Sequence, residues 1–364
     1  MIVQEVTQLL EAFAPLDHAE DFDNVGLLIG KPDMKVTGIL VTLDTLESVV
    51  DEAIATECNL IVSFHPIIFN GLKRLNGSNY VERVTIKAIQ HNIAVYSMHT
   101  ALDNNFNGVN ARICEVLGLV NKKILLPKKG MIKKLTTYVP VKQAEALKTA
   151  LFDAGAGHLG NYSHCSFSST GTGSFLGEEG ANPVLGQKGK VHHEVEIQLQ
   201  VTYSRERQKE VLAALFDAHP YEEIAYEVIT LENSYQQLGM GMIGDLETPV
   251  DEKTFLKKVK QQMKCGVIRH SKLLGKDVKK VAVLGGSGAF AIEAAKAAGA
   301  DVFLTGDLKY HQFFAAEDKL VIADIGHYES EQFTKNLIAD YLTKKIPNFA
   351  VRLSESNTNP IKYF

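Results

Sequence analysis

A short apolar segment that runs into a histidine decides the fold, in the stretch Leu320-Val321-Ile322-Ala323-Asp324-Ile325-Gly326-His327-Tyr328-Glu329-Ser330-Glu331. Its first four residues are apolar and partly β-branched, which predicts a buried strand. A helix is expected to start near Gly326, and the four-residue spacing then places His327 and Glu331 on one helix face, within reach of one ion. This pair therefore lies just past the carboxyl end of a strand.

Two other predicted strands end in the same way. Residues 59–63 run into Phe64-His65-Pro66, and residues 93–98 run into His99-Thr100-Ala101-Leu102-Asp103. In an open α/β sheet, ligands bind in the crevice beyond the carboxyl ends of the strands. Three strand ends that carry His, Asp and Glu therefore predict one metal site.

The first 126 residues predict an α/β domain. Strands at 38–43, 59–63 and 93–98 alternate with helices at 46–55 and 80–91. Such alternation is typical of βαβ units and a parallel sheet. The same pattern returns after residue 233, with strands expected at 281–284, 301–305 and 320–323.

The segment between these halves has a different order of elements. Residues 127–233 predict β-α-β-β-α-β, which is the order of a ferredoxin-like module. Six lysines between Lys122 and Lys134 predict a solvated linker at its start. We therefore expect a discontinuous α/β domain, formed by residues 1–126 and 234–364, with a ferredoxin-like insert at 127–233.

The composition excludes several classes of protein. The net charge of -5 offers no overall attraction to nucleic acid or to an anionic membrane. No apolar run is long enough to span a bilayer, and the N-terminus does not resemble a signal peptide, so we expect a cytoplasmic protein. The four cysteines are far apart and form no C-x-x-C, which favours reduced, mostly buried thiols.

Five motifs, in this order, resemble those of the Nif-three-like proteins, also called GTP cyclohydrolase type 2 homologues. They are Asp23-Asn24-Val25-Gly26-Leu27-Leu28-Ile29-Gly30, His65-Pro66-Ile67-Ile68-Phe69, His99-Thr100-Ala101-Leu102-Asp103, Thr305-Gly306-Asp307 and Gly326-His327-Tyr328-Glu329-Ser330-Glu331. The insert is similar to the PII-like or CutA-like module of the longer members, through Gly180-Ala181-Asn182-Pro183 and His219-Pro220-Tyr221-Glu222-Glu223.

The resemblance implies a toroidal homohexamer with a dinuclear divalent-metal site in each chain. Carried over by position, the metal ligands are His65, Asp103, His327 and Glu331. The chain departs from the family pattern at Phe64, which stands where the first histidine of a His-His-Pro motif is expected. Because a phenyl ring cannot bind a metal, we expect one or two ions per chain. Imidazole and carboxylate ligands without thiolate suit Zn first, and also Mn, Fe, Co or Ni.

Other residues allow two interpretations each. His99 is expected to orient a ligand or water, and His311 is either a proton carrier in the same crevice or a plain surface residue. The Gly285-Gly286-Ser287-Gly288 run either cradles a phosphate or, as we favour, forms a tight strand-to-helix turn. In the insert, a structural role is favoured over metal binding for the remaining candidates His192, His193, His219, Glu222 and Glu223.

Two functions remain open from the sequence. The first is a metal-dependent hydrolase in which His99 and His311 move protons and the substrate, by resemblance, is a nucleotide such as GTP. The second is a non-enzymatic metal-handling or regulatory protein whose PII-like insert senses a small molecule or a partner. A site of His, Asp and Glu serves either function.

Overall fold

A computed structural model describes residues 1–364, which divide into two compact units. Unit 1 comprises Met1–Pro127 and Gln236–Phe364, and unit 2 comprises Lys128–Tyr235. None of the helices combines the length and the apolar character needed to cross a membrane.

The first half of unit 1 alternates short strands with helices. Its elements are α1 (Val3–Phe13), β1 (Gly26–Ile29), β2 (Ile39–Thr42), α2 (Glu47–Ala55), β3 (Leu60–Ser63), α3 (Tyr80–Gln90), β4 (Ala94–Ser97), α4 (His99–Asp103), α5 (Val109–Leu117) and β5 (Leu119–Lys128). Every residue of β2, β3 and β4 is buried, as expected for strands that are covered on both faces. Helix α5 ends at Gly118, whose φ of 69° suits glycine at a helix C-terminus.

Unit 2 contains one four-stranded antiparallel sheet and two helices. Its elements are β6 (Ile132–Pro140), α6 (Ala144–Asp153), β7 (Ser166–Leu176), β8 (Val191–Ser204), α7 (Gln208–Ala218) and β9 (Tyr226–Leu231). The strand order is β7-β8-β6-β9. The helices pack on one face of this sheet, where Leu147 of α6 and Leu215 of α7 share a core with Leu135 and Leu199.

The second half of unit 1 supplies most of a further sheet. Its elements are β10 (Tyr235–Asp251), α8 (Glu252–Gln262), β11 (Arg269–His270), β12 (Asp277–Ser287), α9 (Ile292–Ala297), β13 (Val302–Gly306), β14 (Val321–Asp324), α10 (His327–Glu331), α11 (Thr334–Lys345) and β15 (Val351–Leu353). This sheet has the order β11-β14-β13-β12-β10-β5, whereas the first sheet has the order β1-β4-β3-β2-β15.

Unit 1 therefore holds two mixed sheets instead of one parallel-type sheet. The predicted strands do pair parallel, β2 with β3 and β3 with β4 in one sheet, and β12 with β13 and β13 with β14 in the other. In the first sheet β1 pairs antiparallel to β4, and in the second β10 pairs antiparallel to β12 and β11 to β14. Both sheets contribute to one core, which joins Val41 and Val62 of the first to Val283 and Leu304 of the second. The carboxyl ends of β3 and β4 lie close to those of β12 and β14, because His65 contacts His327 and His99 lines one cavity with Gly286.

The lysine-rich segment is not a linker. Residues up to Lys128 form β5 at the edge of the second sheet, and β6 begins at Ile132. The buried side chains Leu119, Ile124 and Leu125 hold β5 against the sheet, while the lysines lie at less buried positions of the strand. Lysine is common on edge strands because its charge discourages further strand pairing.

Candidate metal centre

Two loops that follow strands bring histidines of unit 1 together. His65 lies two residues after β3, and its backbone N–H donates to the carbonyl of Leu43 at 2.9 Å. His327 begins α10 directly after Gly326, which has a φ of 93°. A Cβ on Gly326 would lie 2.2 Å from Glu329 Oε2, so this turn requires glycine.

The side chains of His65, His327 and Glu331 form a compact triad. Glu331 Oε2 lies 3.1 Å from His65 Nε2 and 3.2 Å from His327 Nε2, and the two nitrogens are 3.4 Å apart. The geometry allows no hydrogen bond to Glu331 Oε2, although this oxygen is buried. Three potential ligand atoms therefore converge on one point, which is the arrangement of a set of metal ligands.

Carboxylates fix both imidazoles from the opposite side of each ring. Nδ1 of His65 lies 2.8 Å from Asp44 Oδ1, and Nδ1 of His327 lies 2.6 Å from Asp307 Oδ2. We assign a donated proton to each Nδ1, because a carboxylate oxygen can only accept. When the second proton of each ring is lost, its Nε2 carries a free lone pair, as in carboxylate–histidine–metal arrangements.

The charges around the triad shift its pKa values strongly. Burial alone would lower the pKa of His65, but Glu331 and Asp44 outweigh it and raise the value to about 10. Burial is likewise outweighed at His327, where Asp307 and Glu331 raise the pKa to about 11. Burial disfavours the charge on Glu331, yet the two imidazoles keep its pKa below the usual range. The triad therefore attracts and holds positive charge.

Asp103 lies beside the triad on α4. It lines a cavity of about 250 Å³ together with His99, His327 and Glu331. Its Oδ1 is buried and has no hydrogen-bond partner, and burial together with Glu331 raises the pKa of this carboxyl. A buried carboxylate oxygen without a partner is costly unless a cation compensates it. Asp103 is thus placed to extend the donor set of the triad.

His99 is held away from the triad atoms by a carboxylate of its own. Its Nδ1 lies 2.7 Å from Asp23 Oδ1, and the second oxygen of Asp23 accepts the Thr100 N–H at 3.0 Å. Its backbone has a φ of 21°, which is an unusual conformation for histidine. The imidazole still lines the 250 Å³ cavity, with its ring centroid 5.3 Å from that of His65.

Three carboxylates were not predicted as functional from the sequence. Asp23 and Asp307 belong to motifs that the resemblance had identified, so their position could have been a signal. Asp44 lies in no such motif, and only its position after β2 brings it to the site. All three act on the Nδ1 atom of a histidine.

Phe64 is packed into the core. It has no exposed surface, and its ring centroid lies 4.9 Å from that of His65 and 5.6 Å from that of His99. The phenyl ring therefore forms an apolar wall behind both imidazoles.

Several other candidate residues do not contact the triad. His311 lies exposed on a 3₁₀ turn (Tyr310–Ala316), with its ring near those of Tyr310 and Phe314, and it lines neither cavity next to the triad. In unit 2, both nitrogens of His219 bond to backbone groups, and His192 lies 3.1 Å from Glu194. These contacts account for the two unit 2 histidines without a ligand.

The glycine-rich run shapes the metal centre. The N–H of Gly285 donates to Asn110 Oδ1 at 3.0 Å, and that of Gly286 donates to Ser330 Oγ at 2.9 Å. These amides are consequently not free to bind a phosphate. Gly286 has a φ of 67°, and a Cβ there would lie 2.5 Å from Glu331 Oε1. Glycine at this position therefore leaves room for the Glu331 carboxylate.

Comparisons with known proteins identify the family. The family described as Duf34/NIF3 (NGG1p interacting factor 3) matches residues 1–360. A Bacillus subtilis protein named GTP cyclohydrolase 1 type 2 homolog is 39% identical, with 99% of this chain and 98% of that protein covered. A Bacillus cereus protein related to NIF3 has a crystal structure that matches with a TM-score of 0.86 at 38% identity, with 100% and 99% of the two chains covered. A Staphylococcus aureus structure matches with a TM-score of 0.81 at 30% identity, with 100% and 99% covered. The chain belongs to the Duf34/NIF3 family.

Proposed function

We propose that this protein is a divalent-metal-dependent hydrolase whose ion is held by His65, His327 and Glu331. The observation that carries the proposal is the buried Glu331 Oε2, which lies 3.1 Å and 3.2 Å from two imidazole nitrogens and hydrogen-bonds to neither. A purely structural cluster would be expected to satisfy such an oxygen. A cation at the meeting point of the three atoms satisfies all of them at once.

The donor set favours zinc. Two imidazoles and a carboxylate, with one position left open, form the ligand pattern of catalytic zinc sites. Manganese, iron, cobalt and nickel accept the same donors. Because Phe64 offers no ligand, we propose about one tightly held ion per chain, with Asp103 as a further donor.

The remaining residues of the site have separate roles in the proposed reaction. A divalent ion supplies Lewis-acid activation of water and of an electrophilic centre. Asp44 and Asp307 hold the imidazoles in the tautomer that binds metal. His99 lines the cavity, and its Nδ1 is engaged by Asp23, so its Nε2 is the nitrogen that can exchange a proton with a bound substrate. His311 has no place in this scheme, because it lies outside both cavities.

We propose a nucleotide such as GTP as the substrate, opened at its imidazole ring. The support is the name of the relatives, GTP cyclohydrolase 1 type 2 homolog, together with a water-accessible cavity beside the triad. The wider proposal includes a toroidal homohexamer, a cytoplasmic location and a ferredoxin-like fold for unit 2, for which the β-α-β-β-α-β order is the support.

The test is to measure metal content and GTP consumption in the same preparations. The unmodified protein, His327→Ala and Glu331→Gln are compared with His91→Ala, a matched control at an exposed histidine on the end of α3. We expect bound metal and GTP loss in the unmodified protein and in the control, and neither in the two triad variants.

Each other outcome has a definite meaning. Metal binding that depends on the triad but is accompanied by no GTP consumption would replace the hydrolase with a metal-handling protein. Equal metal content in all four proteins would refute the site itself.

A further inference from the structure

Unit 2 contains a cavity of about 750 Å³, and none of its lining residues belongs to the metal centre. In β8, Ile197, Leu199 and Val201 pack beneath the two helices of this unit. Side chains alternate along a strand, so Glu196 and Gln198 point to the opposite face of the sheet. Both line the cavity. The cavity therefore occupies the face that α6 and α7 leave uncovered.

One wall of the unit 2 cavity is apolar. It is formed by the end of β7 and the loop that follows it, through Phe175, Leu176, Pro183, Val184 and Leu185. The loop is fastened across the opening because the Asn182 N–H donates to Glu222 Oε2 at 2.8 Å. The volume lies in the range of pockets that hold small organic molecules.

Glycines of β7 form the floor of the unit 2 cavity. Gly171 pairs with Glu196 in the sheet, and a Cβ placed on Gly171 would meet no atom within 4 Å. A Cβ on Gly173, in contrast, would lie 2.2 Å from Glu196 Oε2. The absence of side chains at these two positions leaves space in front of the Glu196 carboxylate.

The lining of the unit 2 cavity is acidic. It includes four acidic residues and no lysine, arginine or histidine; the acidic residues are Glu178, Glu196, Glu222 and Glu223. The nearby His219, whose ring lies 5.2 Å from that of Tyr221, has its pKa lowered by burial, which favours the neutral imidazole. Glu196 is only 8% exposed, and its Oε1 accepts the Tyr221 hydroxyl at 2.6 Å. Burial and Glu196 raise the pKa of Tyr221, so this hydroxyl remains a neutral donor. A buried carboxylate without a cationic partner is an expensive feature for a protein to keep.

We propose that the unit 2 cavity binds an organic ammonium ion, with the charged nitrogen at Glu196 and an apolar body against the Phe175–Leu185 wall. An anionic ligand such as a phosphate would meet only negative charge. A bare metal ion is disfavoured, because the only set of three or more ligand atoms that converges in this chain is the His65–His327–Glu331 triad. The inference does not depend on the function of the metal centre.

The test uses the full-length protein and three probes that share a 2-phenylethyl group and differ in charge. These are 2-phenylethylamine, 2-phenylethanol and 3-phenylpropanoate, each titrated by calorimetry. Both probes can donate a hydrogen bond to Glu196, but only the ammonium ion also carries the opposite charge, so we expect the amine to bind about tenfold more tightly than the alcohol. We expect the carboxylate not to bind.

Two variants locate the binding. Glu196→Gln keeps the shape of the side chain and should abolish the preference for the amine over the alcohol. Gly171→Leu fills the cavity where a side chain meets no atom, and it should abolish binding of the amine and the alcohol. Glu210→Gln, on the exposed face of α7, is the matched control and should bind like the unmodified protein.

Three outcomes would overturn the proposal. They are no binding of the amine at millimolar concentration, equal binding of the three probes, and unchanged amine binding in both cavity variants. Gly171→Leu keeps the test decisive if Glu196→Gln fails to fold.

Discussion

Replacing Asp307 with asparagine should weaken metal binding without disturbing the fold. Asp307 lies outside the triad and touches the metal centre only through the 2.6 Å contact of its Oδ2 with His327 Nδ1. Asparagine has nearly the same shape, but it is neutral and can present its NH₂ group to the ring. The imidazole then loses its charged partner, and its Nε2 becomes a poorer donor to a metal.

The magnitude follows from the exposure of the two carboxylates. Loss of such a partner weakens metal binding about 10- to 100-fold, or about 1.4 to 2.7 kcal/mol. The Asp307 side chain is 50% exposed, so solvent screens it and we expect the lower end of this range. Each carboxylate accepts one further hydrogen bond, Asp307 from Ser287 and Asp44 from Thr358. The Asp44 side chain is less exposed, at 30%, so Asp44→Asn should lie nearer the upper end of the range.

The assay is a zinc competition titration against a chromophoric chelator, with circular dichroism to confirm folding. Asp318→Asn is the control, because Asp318 is 67% exposed and pairs only with Lys272 on the surface. The reasoning fails if folded Asp44→Asn and Asp307→Asn bind zinc as tightly as the control. That result would mean that the carboxylates do not act through the imidazoles.

Three further predictions follow from the same structure. Metal binding should release about two protons at pH 7 and tighten as the pH rises, because His65 and His327, with pKa values raised to about 10 and 11, must be neutral to bind. Calorimetry in buffers of different ionisation enthalpy measures the number of protons released, and zero release would contradict the prediction. Removing residues 128–235 should leave unit 1 folded and able to bind metal. The chain on the two sides of the deletion is already in contact, because the N–H of Ile124 lies 3.2 Å from Gln236 Oε1. An unfolded product in a melting experiment, or a metal-free one in metal analysis, would contradict this prediction. Phe64→His should raise the bound metal from about one ion per chain toward two. The melting temperature should fall, because a fully buried phenyl ring is lost. Two ions per chain found by elemental analysis in the unmodified protein would refute the single-ion interpretation.

The strands around the metal centre could be predicted because each is a short apolar run. Strands β3 and β4 are buried throughout, and the apolar residues of their sequences predict this burial. Strand β5 was missed because its lysines resemble a linker, and β10 because glycines such as Gly239 and Gly241 interrupt it. Partner strands supply the missing stability through hydrogen bonds, and local sequence cannot report which strands will pair.

The triad could be predicted from local patterns, whereas its supporting carboxylates could not. His327 and Glu331 are related by one helical turn, which the sequence shows without any tertiary information. The contact of Asp44 with His65 depends instead on two parallel strands lying side by side, with Thr42 paired to Ser63. That register places both residues two positions beyond their strands at the same edge of the sheet.

Phe64 changes the environment of the metal centre as well as its ligand count. Its ring is fully buried and faces the imidazoles of both His65 and His99, so water cannot approach them from that side. An apolar wall lowers the local dielectric constant, which strengthens the attraction between the remaining charged ligands and a cation. The buried Glu331 and Asp103 oxygens have no hydrogen-bond partners, which is costly unless a cation compensates them. If the triad binds metal as proposed, we therefore expect a single, tightly held ion rather than two weakly held ones.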